Sequence, residues 1–169
     1  MTCEYFLCTY PTGECQNFCD EKKGTGSNTY EERQTVRNVA EFLFEYYCAE
    51  KEYKITRVGF DEKRRNVDNF YRLNPFLRNL PDYIVNTPKN TFVVNVKGTG
   101  NFKQKEIELL PKFIEWYGSA EAQLIYAFCF TGKKPIMLSP EEILEKYSKA
   151  NDKQWTDGVI YRNLGLTND

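Results

Sequence analysis

The sequence contains no histidine among its 169 residues. Histidine supplies the general base of Ser-His-Asp and Cys-His sites and is a common ligand of zinc. The absence of histidine therefore excludes Ser-His-Asp and Cys-His catalysis and histidine ligands of zinc. Any chemistry must come from carboxylates, lysine, cysteine, tyrosine, or a metal held by oxygen or sulfur.

The sequence also lacks a long apolar run and an excess of charge of one sign. No stretch approaches the roughly 20 apolar residues of a transmembrane helix. The first residues, MTCEYFLCTYPTG, lack the basic segment of a signal peptide. We therefore expect an intracellular protein without membrane contact. The formal net charge is −1, so nucleic-acid binding requires a local basic patch.

Four of the six cysteines lie in residues 1–28, which end in the run KKGTGSN and are interpreted as an N-terminal appendage. Four thiolates can hold a tetrahedral Zn²⁺, but the spacing contains no CxxC pair of the kind typical of zinc motifs. Reduced, unliganded thiols are the alternative to a structural zinc site. The candidate ligands are Cys3, Cys8, Cys15 and Cys19. Cys48 and Cys129 are expected to be packing residues instead.

Strands alternate with helices along the rest of the chain. The predicted helices span 29–50, 103–118 and 139–149, and the last begins with a capping box formed by Ser139 and Glu142. The predicted strands span 53–60, 82–86, 91–97, 122–130 and 135–138, and 122–130 is apolar on both faces, as expected of a covered strand. Residues 158–163 are expected either to add a strand or to wrap the surface. This order predicts an α/β sandwich in which helices flank a mixed central sheet. Residues 29–150 form the predicted core domain, and residues 151–169 are expected to be a C-terminal extension packed on it.

The stretch PDYIVNTPKNTFVVNVKG predicts two strands joined by a turn at 87–90. With that turn, Asp82 faces Asn95 across the hairpin, and Lys97 lies on the same face because side chains alternate along a strand. Opposed residues have Cβ atoms about 5 Å apart. Oxygens of Asp82 and Asn95 can therefore share a hard cation such as Mg²⁺, provided that the register does not slip by one residue.

These residues resemble the motif of the PD-(D/E)XK nuclease superfamily, which has the restriction-endonuclease-like fold. Pro81-Asp82 matches the PD pair, and Asn95-Val96-Lys97 matches (D/E)XK. The order of elements over residues 29–131 is also similar, and the layout is most similar to that of small Holliday-junction-resolvase-like nucleases. The resemblance implies an αβββαβ core, a DNA substrate, Mg²⁺ or Mn²⁺ as cofactor, and a homodimer.

The resemblance also implies roles for particular residues. Asp82 is the central metal ligand, and Lys97 positions the attacking water. Glu32 completes the site from the first helix, unless it forms a capping box with Thr29 instead. Gln104, on the helix after the hairpin, is implied to reach the same site. An ordinary solvated first turn is the alternative for Gln104 and Lys103.

The departure from the family pattern is Asn95, which stands where the family has a carboxylate. An amide oxygen carries no charge, so metal affinity is expected to fall. Some members of the family carry the acidic ligand on the following helix. Glu106 is then the candidate second metal ligand, rather than Glu108, which is expected to be turned away from Gln104.

The segment 61–80 is the strongest local basic patch, because its arginines are interleaved with aromatic residues that can stack on bases. A surface helix that packs its aromatic edge on the core is the alternative. The candidate nucleic-acid contacts are Arg64, Arg65, Arg72, Arg78 and Lys103.

Together these observations favour a divalent-metal-dependent DNA endonuclease or exonuclease with a variant active site at Asn95. The first alternative is a catalytically inactive nuclease-fold subunit that binds DNA or serves assembly. The second is a protein-interaction domain stabilised by zinc in residues 1–28.

Overall fold

The computed structural model describes residues 30–58, 74, 77, 79–119, 122–155 and 158–166, except for the side chains of residues 30–36 and 38. The predicted appendage at 1–28 and most of the basic segment at 61–80 lie outside these ranges. The predictions made for those two segments stay predictions.

The described part of the chain contains three helices and eight strands. The helices are α1 (Tyr30–Glu50), α2 (Gln104–Ser119) and α3 (Pro140–Lys149). The strands are β1 (Lys54–Arg57), β2 (Tyr83–Asn86), β3 (Thr91–Lys97), β4 (Asn101–Lys103), β5 (Gln123–Phe128), β6 (Ile136–Leu138), β7 (Asp152–Gln154) and β8 (Ile160–Asn163). Helix α3 begins at the predicted capping box, in which the side chains of Ser139 and Glu142 each accept the other residue's backbone N–H.

A five-stranded mixed sheet in the order β1-β2-β3-β5-β6 forms the centre of the fold. Strands β3 and β5 pair in parallel, and the other neighbours pair antiparallel. A parallel pair needs a long crossover connection, and α2 lies in the connection between β3 and β5. The predicted α/β class with a mixed central sheet is confirmed.

Helices cover both faces of this sheet. On one face α1 packs through Ala40, Phe44 and Cys48 on a cluster of β2 and β3 side chains. On the other face α2 and α3 pack on β5, with Leu110 and Ile143 fully buried. Strands β3 and β5 are therefore covered on both sides, which explains why their sequences are nearly continuous apolar runs.

A second sheet, in the order β4-β8-β7, joins the C-terminal segment to the chain that follows β3. Strand β8 lies within a predicted strand, whereas β4 and β7 were not predicted. Each of these two strands has three residues, which is too short for an alternating pattern to show. As a result, Lys103 ends β4 instead of lying in the helix that was predicted to begin at residue 103.

Gly100 fixes the C-terminal segment beside the end of β3. A Cβ atom at this position would lie 2.7 Å from the carbonyl oxygen of Leu166, so only glycine fits without movement of the backbone. The N–H of Leu164 donates to the carbonyl oxygen of Gly100 at 2.8 Å. Leu164 is also buried in the cluster formed by α2 and β5.

None of the helices in the described ranges is long and apolar enough to cross a membrane.

Replacing Phe44 by alanine is expected to lower the free energy of unfolding by about 3–5 kcal/mol, because it leaves a cavity between α1 and the sheet. The Phe44 side chain is buried, and its ring centre lies 5.5 Å from that of Tyr83. Leu144→Ala, at an exposed position on α3, is the control and should change stability by about 0.5 kcal/mol or less. Urea denaturation measures both variants, and equal losses would contradict this packing.

Candidate active site

The carboxyl end of β3 carries Asn95 and Lys97 on the face that α2 covers. The Nζ atom of Lys97 lies 4.9 Å from the ring centre of Phe102. It forms an ion pair with Glu106 in the first turn of α2. Asn95 shares this face because side chains alternate along a strand, and it lies beside Tyr126 in the pairing with β5. The structure therefore brings Glu106 to the lysine of the motif.

Asp82 lies directly before β2 and departs from the expected register. The β2–β3 ladder follows that register and ends with Tyr83 opposite Val94. The N–H of Asp82, the residue before Tyr83, donates to the carbonyl oxygen of Val94 at 2.9 Å. Oδ2 of Asp82 accepts the N–H of Val96 at 2.8 Å. A contact between the carboxylate and the β3 backbone thus replaces the expected pairing of Asp82 with Asn95.

Helix α1 adds a second buried carboxylate, Glu41. Glu41 is 1% exposed and Asp82 is 4% exposed. Arg37 joins them: its Nε donates to Oε1 of Glu41 at 2.8 Å, and its Nη2 donates to Oδ1 of Asp82 at 2.7 Å. Arg57 of β1 forms an ion pair with the other oxygen of Glu41. Buried carboxylates are tolerated when they are paired and hydrogen-bonded in this way.

Glu32 is the carboxylate predicted from the first helix, and Glu41 was not predicted. Glu32 lies in the first turn of α1, and its side chain is not among those described. The signal for Glu41 is its spacing, because Phe44 and Cys48 follow it at intervals that put all three on one face of the helix. Both of these residues are buried. A glutamate on a buried stripe needs a partner, and Arg37 lies one turn before it.

The Asp82 carboxylate is only partly stabilised by its neighbours. Burial raises the pKa of Asp82, against the opposing effects of Arg37, the Val96 N–H and Lys97. A raised pKa means that the ionised carboxylate is incompletely compensated by its surroundings. Burial also raises the pKa of Tyr126, and the negative charges of Glu106 and Asp82 add to this effect. Glu106 and Asp82 therefore both lie near Tyr126.

Gln104 does not join this region. Its side chain is exposed and donates from Nε2 to Oε1 of Glu108 at 3.1 Å. The expectation that Glu108 is turned away from Gln104 is therefore wrong. Lys103 is exposed as well, and its backbone N–H donates to Oε2 of Glu106 at 2.9 Å. Because α2 begins at Gln104, Glu106 rather than Gln104 takes the inward position of the first turn.

Two groups of candidate residues lie outside the described ranges and stay predictions. They are the arginines Arg64, Arg65, Arg72 and Arg78, and the cysteines Cys3, Cys8, Cys15 and Cys19. Cys48 and Cys129 are buried between α1 and the sheet, as expected of packing residues. Burial raises the pKa of these two thiols to about 11 and about 12, which makes them poor nucleophiles and poor metal ligands.

Glu41 and Asp82 are the two carboxylates that could take part in holding a divalent cation, and they do not form a closed protein cage. Within the described ranges, no group of three or more histidine, cysteine, aspartate or glutamate side chains is placed to hold a metal ion. Glu41 and Asp82 are nevertheless close enough for one guanidinium to join them. Mg²⁺ is usually bound through one or two carboxylates together with water and substrate phosphate.

The fold and the site define a mixed α/β protein with a charged site where β2 and β3 meet α1 and α2. No family model matches this chain, and no curated protein matches its sequence. Among solved structures it is similar to Hjc, a Holliday junction resolvase from the archaeal hyperthermophile Archaeoglobus fulgidus. The TM-score is 0.44 at 12% identity, covering 73% of this chain and 85% of that chain. This degree of similarity assigns neither a family nor an activity to the chain.

The ion pair between Lys97 and Glu106 predicts how stability depends on pH. Burial opposes ionisation of Glu106, but the charges of Lys97 and Lys103 and the hydrogen bonds to both outweigh it and lower the pKa. Such a carboxyl contributes stability above its pKa in the unfolded chain. It loses that contribution as the pH falls through its lower pKa in the folded protein.

Glu106→Gln is therefore expected to lower the free energy of unfolding at neutral pH by about 1–3 kcal/mol and to flatten the pH dependence of stability in acid. Chemical denaturation over a pH series measures both effects. The matched control is Glu108→Gln, which changes an exposed glutamate on the same helix and should alter neither. A Glu106 variant that behaves like this control would show that the ion pair does not form in solution.

Proposed function

We propose that this protein is a divalent-metal-dependent nuclease of the restriction-endonuclease-like fold that hydrolyses phosphodiester bonds in DNA. The observation that carries the proposal is the ion pair between Lys97 and Glu106. It sets a carboxylate from α2 beside the lysine of the motif, where β3 itself supplies only Asn95. Asp82, bonded to the backbone of the same strand, supplies the other half of the PD-(D/E)XK pattern.

The proposed ligands of the cation, Mg²⁺ or Mn²⁺, are the oxygens around Asp82. Asp82 is the central ligand, and Glu41 takes the role expected of Glu32. Asn95 and Glu106 stay predicted ligands, because within the described ranges no three acidic side chains are placed to hold one ion. When bound, the cation would polarise a phosphoryl oxygen and stabilise the negative charge that develops on it.

Lys97 is the proposed group that acts on the attacking water and the phosphate. Hydrolysis forms one bond from phosphorus to the oxygen of water and breaks one bond from phosphorus to a sugar oxygen. The attacking water loses a proton to Glu106, and solvent water supplies the proton that the leaving sugar oxygen takes up. The Lys97 ammonium can donate hydrogen bonds to the attacking water and to a phosphate oxygen. Glu106, its ion-pair partner, is a carboxylate that can accept the proton of the water.

The rival function is DNA binding without catalysis, and one observation favours it. Arg37 already lies between Glu41 and Asp82, so a positive charge is present where a ligating pair of carboxylates would hold the cation. A cleavage experiment separates DNA cleavage from DNA binding without catalysis. The homodimer and the zinc-stabilised interaction domain stay predictions.

Purified protein is expected to cleave DNA with Mg²⁺ or Mn²⁺ and to be inactive with EDTA. Linear, circular, single-stranded and branched DNA are compared, because the substrate structure is open. Asp82→Asn and Lys97→Ala should each lower the rate by about 10²-fold or more, the usual cost of removing a charge-stabilising group. Asn95→Asp should raise the rate or lower the metal concentration required, because it restores the carboxylate of the family pattern.

The matched control for these variants is Glu108→Gln, which should cleave at the rate of the unchanged protein. Cleavage that survives both Asp82→Asn and Lys97→Ala would contradict the proposed site. Binding of DNA without cleavage by the unchanged protein or by the Asn95→Asp variant would favour the rival function.

A pair of lysines that the sequence interpretation did not single out lies at the same end of the sheet as the site. The parallel strands β3 and β5 end together, with Lys97 opposite Phe128 and the N–H of Cys129 bonded to the carbonyl oxygen of Lys97 at 2.9 Å. The turn after β5 carries Lys133 and Lys134, both exposed. Their position favours contacts with the phosphates that flank a strand bound at Lys97.

Replacing Lys133 and Lys134 by alanine together is expected to weaken DNA binding uniformly across sequences and to lower the slope of log affinity against log salt by about one per lost phosphate contact. The control is the pair Lys54 and Lys89, which are exposed at the opposite end of the sheet. Fluorescence anisotropy at several salt concentrations measures both double variants. Equal losses would show that the effect comes from net charge rather than from position.

A further inference from the structure

The Arg37 guanidinium bridges two buried carboxylates through two different nitrogen atoms. Nε donates to Glu41 at 2.8 Å, and Nη2 donates to Asp82 at 2.7 Å. We propose that Arg37 is a built-in counter-ion that competes with the divalent cation for Glu41 and Asp82, so that the cation binds both carboxylates only after Arg37 has left. This inference rests on the proposed function, because it concerns the same cation.

The competition follows from the positions of the charges. A cation shared by Glu41 and Asp82 must contact an oxygen of each, and Arg37 already occupies one oxygen of each. Two positive charges held by the same pair of buried carboxylates repel each other. The guanidinium cannot resolve the conflict by losing its proton, because arginine stays protonated in proteins. It must move away for the cation to enter.

Other contacts in the site keep both carboxylates hydrogen-bonded when Arg37 moves away. Glu41 keeps its ion pair with Arg57 through its other oxygen. Asp82 keeps the N–H of Val96 on Oδ2. The Arg37 side chain itself is 36% exposed, so a path to solvent is already open. The two carboxylates therefore remain hydrogen-bonded in both arrangements.

Arg57 is less exposed than Arg37 and is held in place by more partners. Its guanidinium contacts Glu41, the hydroxyl of Tyr83 at 3.2 Å and the carboxylate of Glu45 at 3.5 Å. These partners come from α1 and β2 and hold Arg57 at the junction between helix and sheet. Of these two arginines, Arg37 is the more exposed and can exchange its partners.

The exchange couples metal binding to nucleic-acid binding. A phosphate of bound DNA offers the released guanidinium a bidentate anionic partner, which lowers the cost of moving Arg37 from Asp82. Without nucleic acid, Arg37 remains on the carboxylates and the affinity for the cation is low. The cation is thus retained mainly in the ternary complex.

The test measures Mn²⁺ binding directly, without nuclease activity, from the electron paramagnetic resonance signal of free Mn²⁺. Arg37→Met removes the guanidinium and keeps the aliphatic stem. It should tighten Mn²⁺ binding by about tenfold or more, because charge-assisted hydrogen bonds no longer oppose the cation. Adding Asp82→Asn to Arg37→Met should abolish the gain. The control is Arg162→Met, which removes an arginine paired with Asp152 on the second sheet and should leave Mn²⁺ binding unchanged.

A second variant and a measurement on the unchanged protein cover the case in which Arg37→Met does not fold. Arg37→Lys keeps one positive charge but cannot bridge two carboxylates, so it should tighten Mn²⁺ binding by a smaller factor. In the unchanged protein, the Nε–H resonance of Arg37 should shift when Mg²⁺ and DNA are added together and should shift little with Mg²⁺ alone. A Nε–H resonance that stays in place in the ternary complex would overturn the proposal.

The outcomes separate this inference from the proposed function. Unchanged or weaker Mn²⁺ binding by folded Arg37 variants would overturn the competition, whether or not DNA is cleaved. Tighter binding that depends on Asp82 would support it, even if every variant fails to cleave DNA. In that last case the counter-ion proposal stands and the nuclease proposal fails.

Discussion

The sharing of Arg37 by Glu41 and Asp82 is the interaction on which the rest of the site depends. Two carboxylates buried at the junction of α1 and the sheet carry a large desolvation cost, which only charge pairing and hydrogen bonds offset. Arg37 contacts both of them, and Arg57 contacts Glu41 from the far side. Together with the apolar packing of Ala40, Phe44 and Cys48, these ion pairs join α1 to β1 and to the bend before β2. The position of Asp82 relative to the end of β3 depends also on its bond to the N–H of Val96.

The candidate site gathers its parts from four places in the chain. Glu41 comes from α1, Asp82 from the bend before β2, Lys97 from the end of β3 and Glu106 from the first turn of α2. Each part has a structural role in the absence of any ligand, since every one of these side chains is an ion-pair partner. A bound cation or phosphate must therefore displace existing partners, and the affinity of the site depends on how easily each pair exchanges.

Several features could be predicted from the sequence because they depend on residues close together in the chain. The capping box at Ser139 needs only residues of the first turn of α3, and it forms as predicted. The register of β2 and β3 follows from the turn between them, and it holds from Asn86 to Tyr83. The continuous apolar run of β5 indicated a strand covered on both faces, and its residues contribute to both hydrophobic clusters. Strands β4 and β7 gave no such signal, because they are stabilised by pairing with β8 rather than by an alternating pattern of their own.

The sequence by itself determined the local elements, the mixed α/β class and the positions of Asp82, Asn95 and Lys97 along the hairpin. Only the tertiary structure decided which acidic residues meet them. Whether Glu41 is buried depends on how α1 is rotated about its own axis when it packs on the sheet. Whether Gln104 or Glu106 points inward depends on the residue at which α2 begins after β4. At the bend before β2, the carboxylate of Asp82 accepts the N–H of Val96, a contact that the spacing along the hairpin does not predict. Spacing along one chain constrains contacts within an element, whereas contacts between elements depend on how those elements pack.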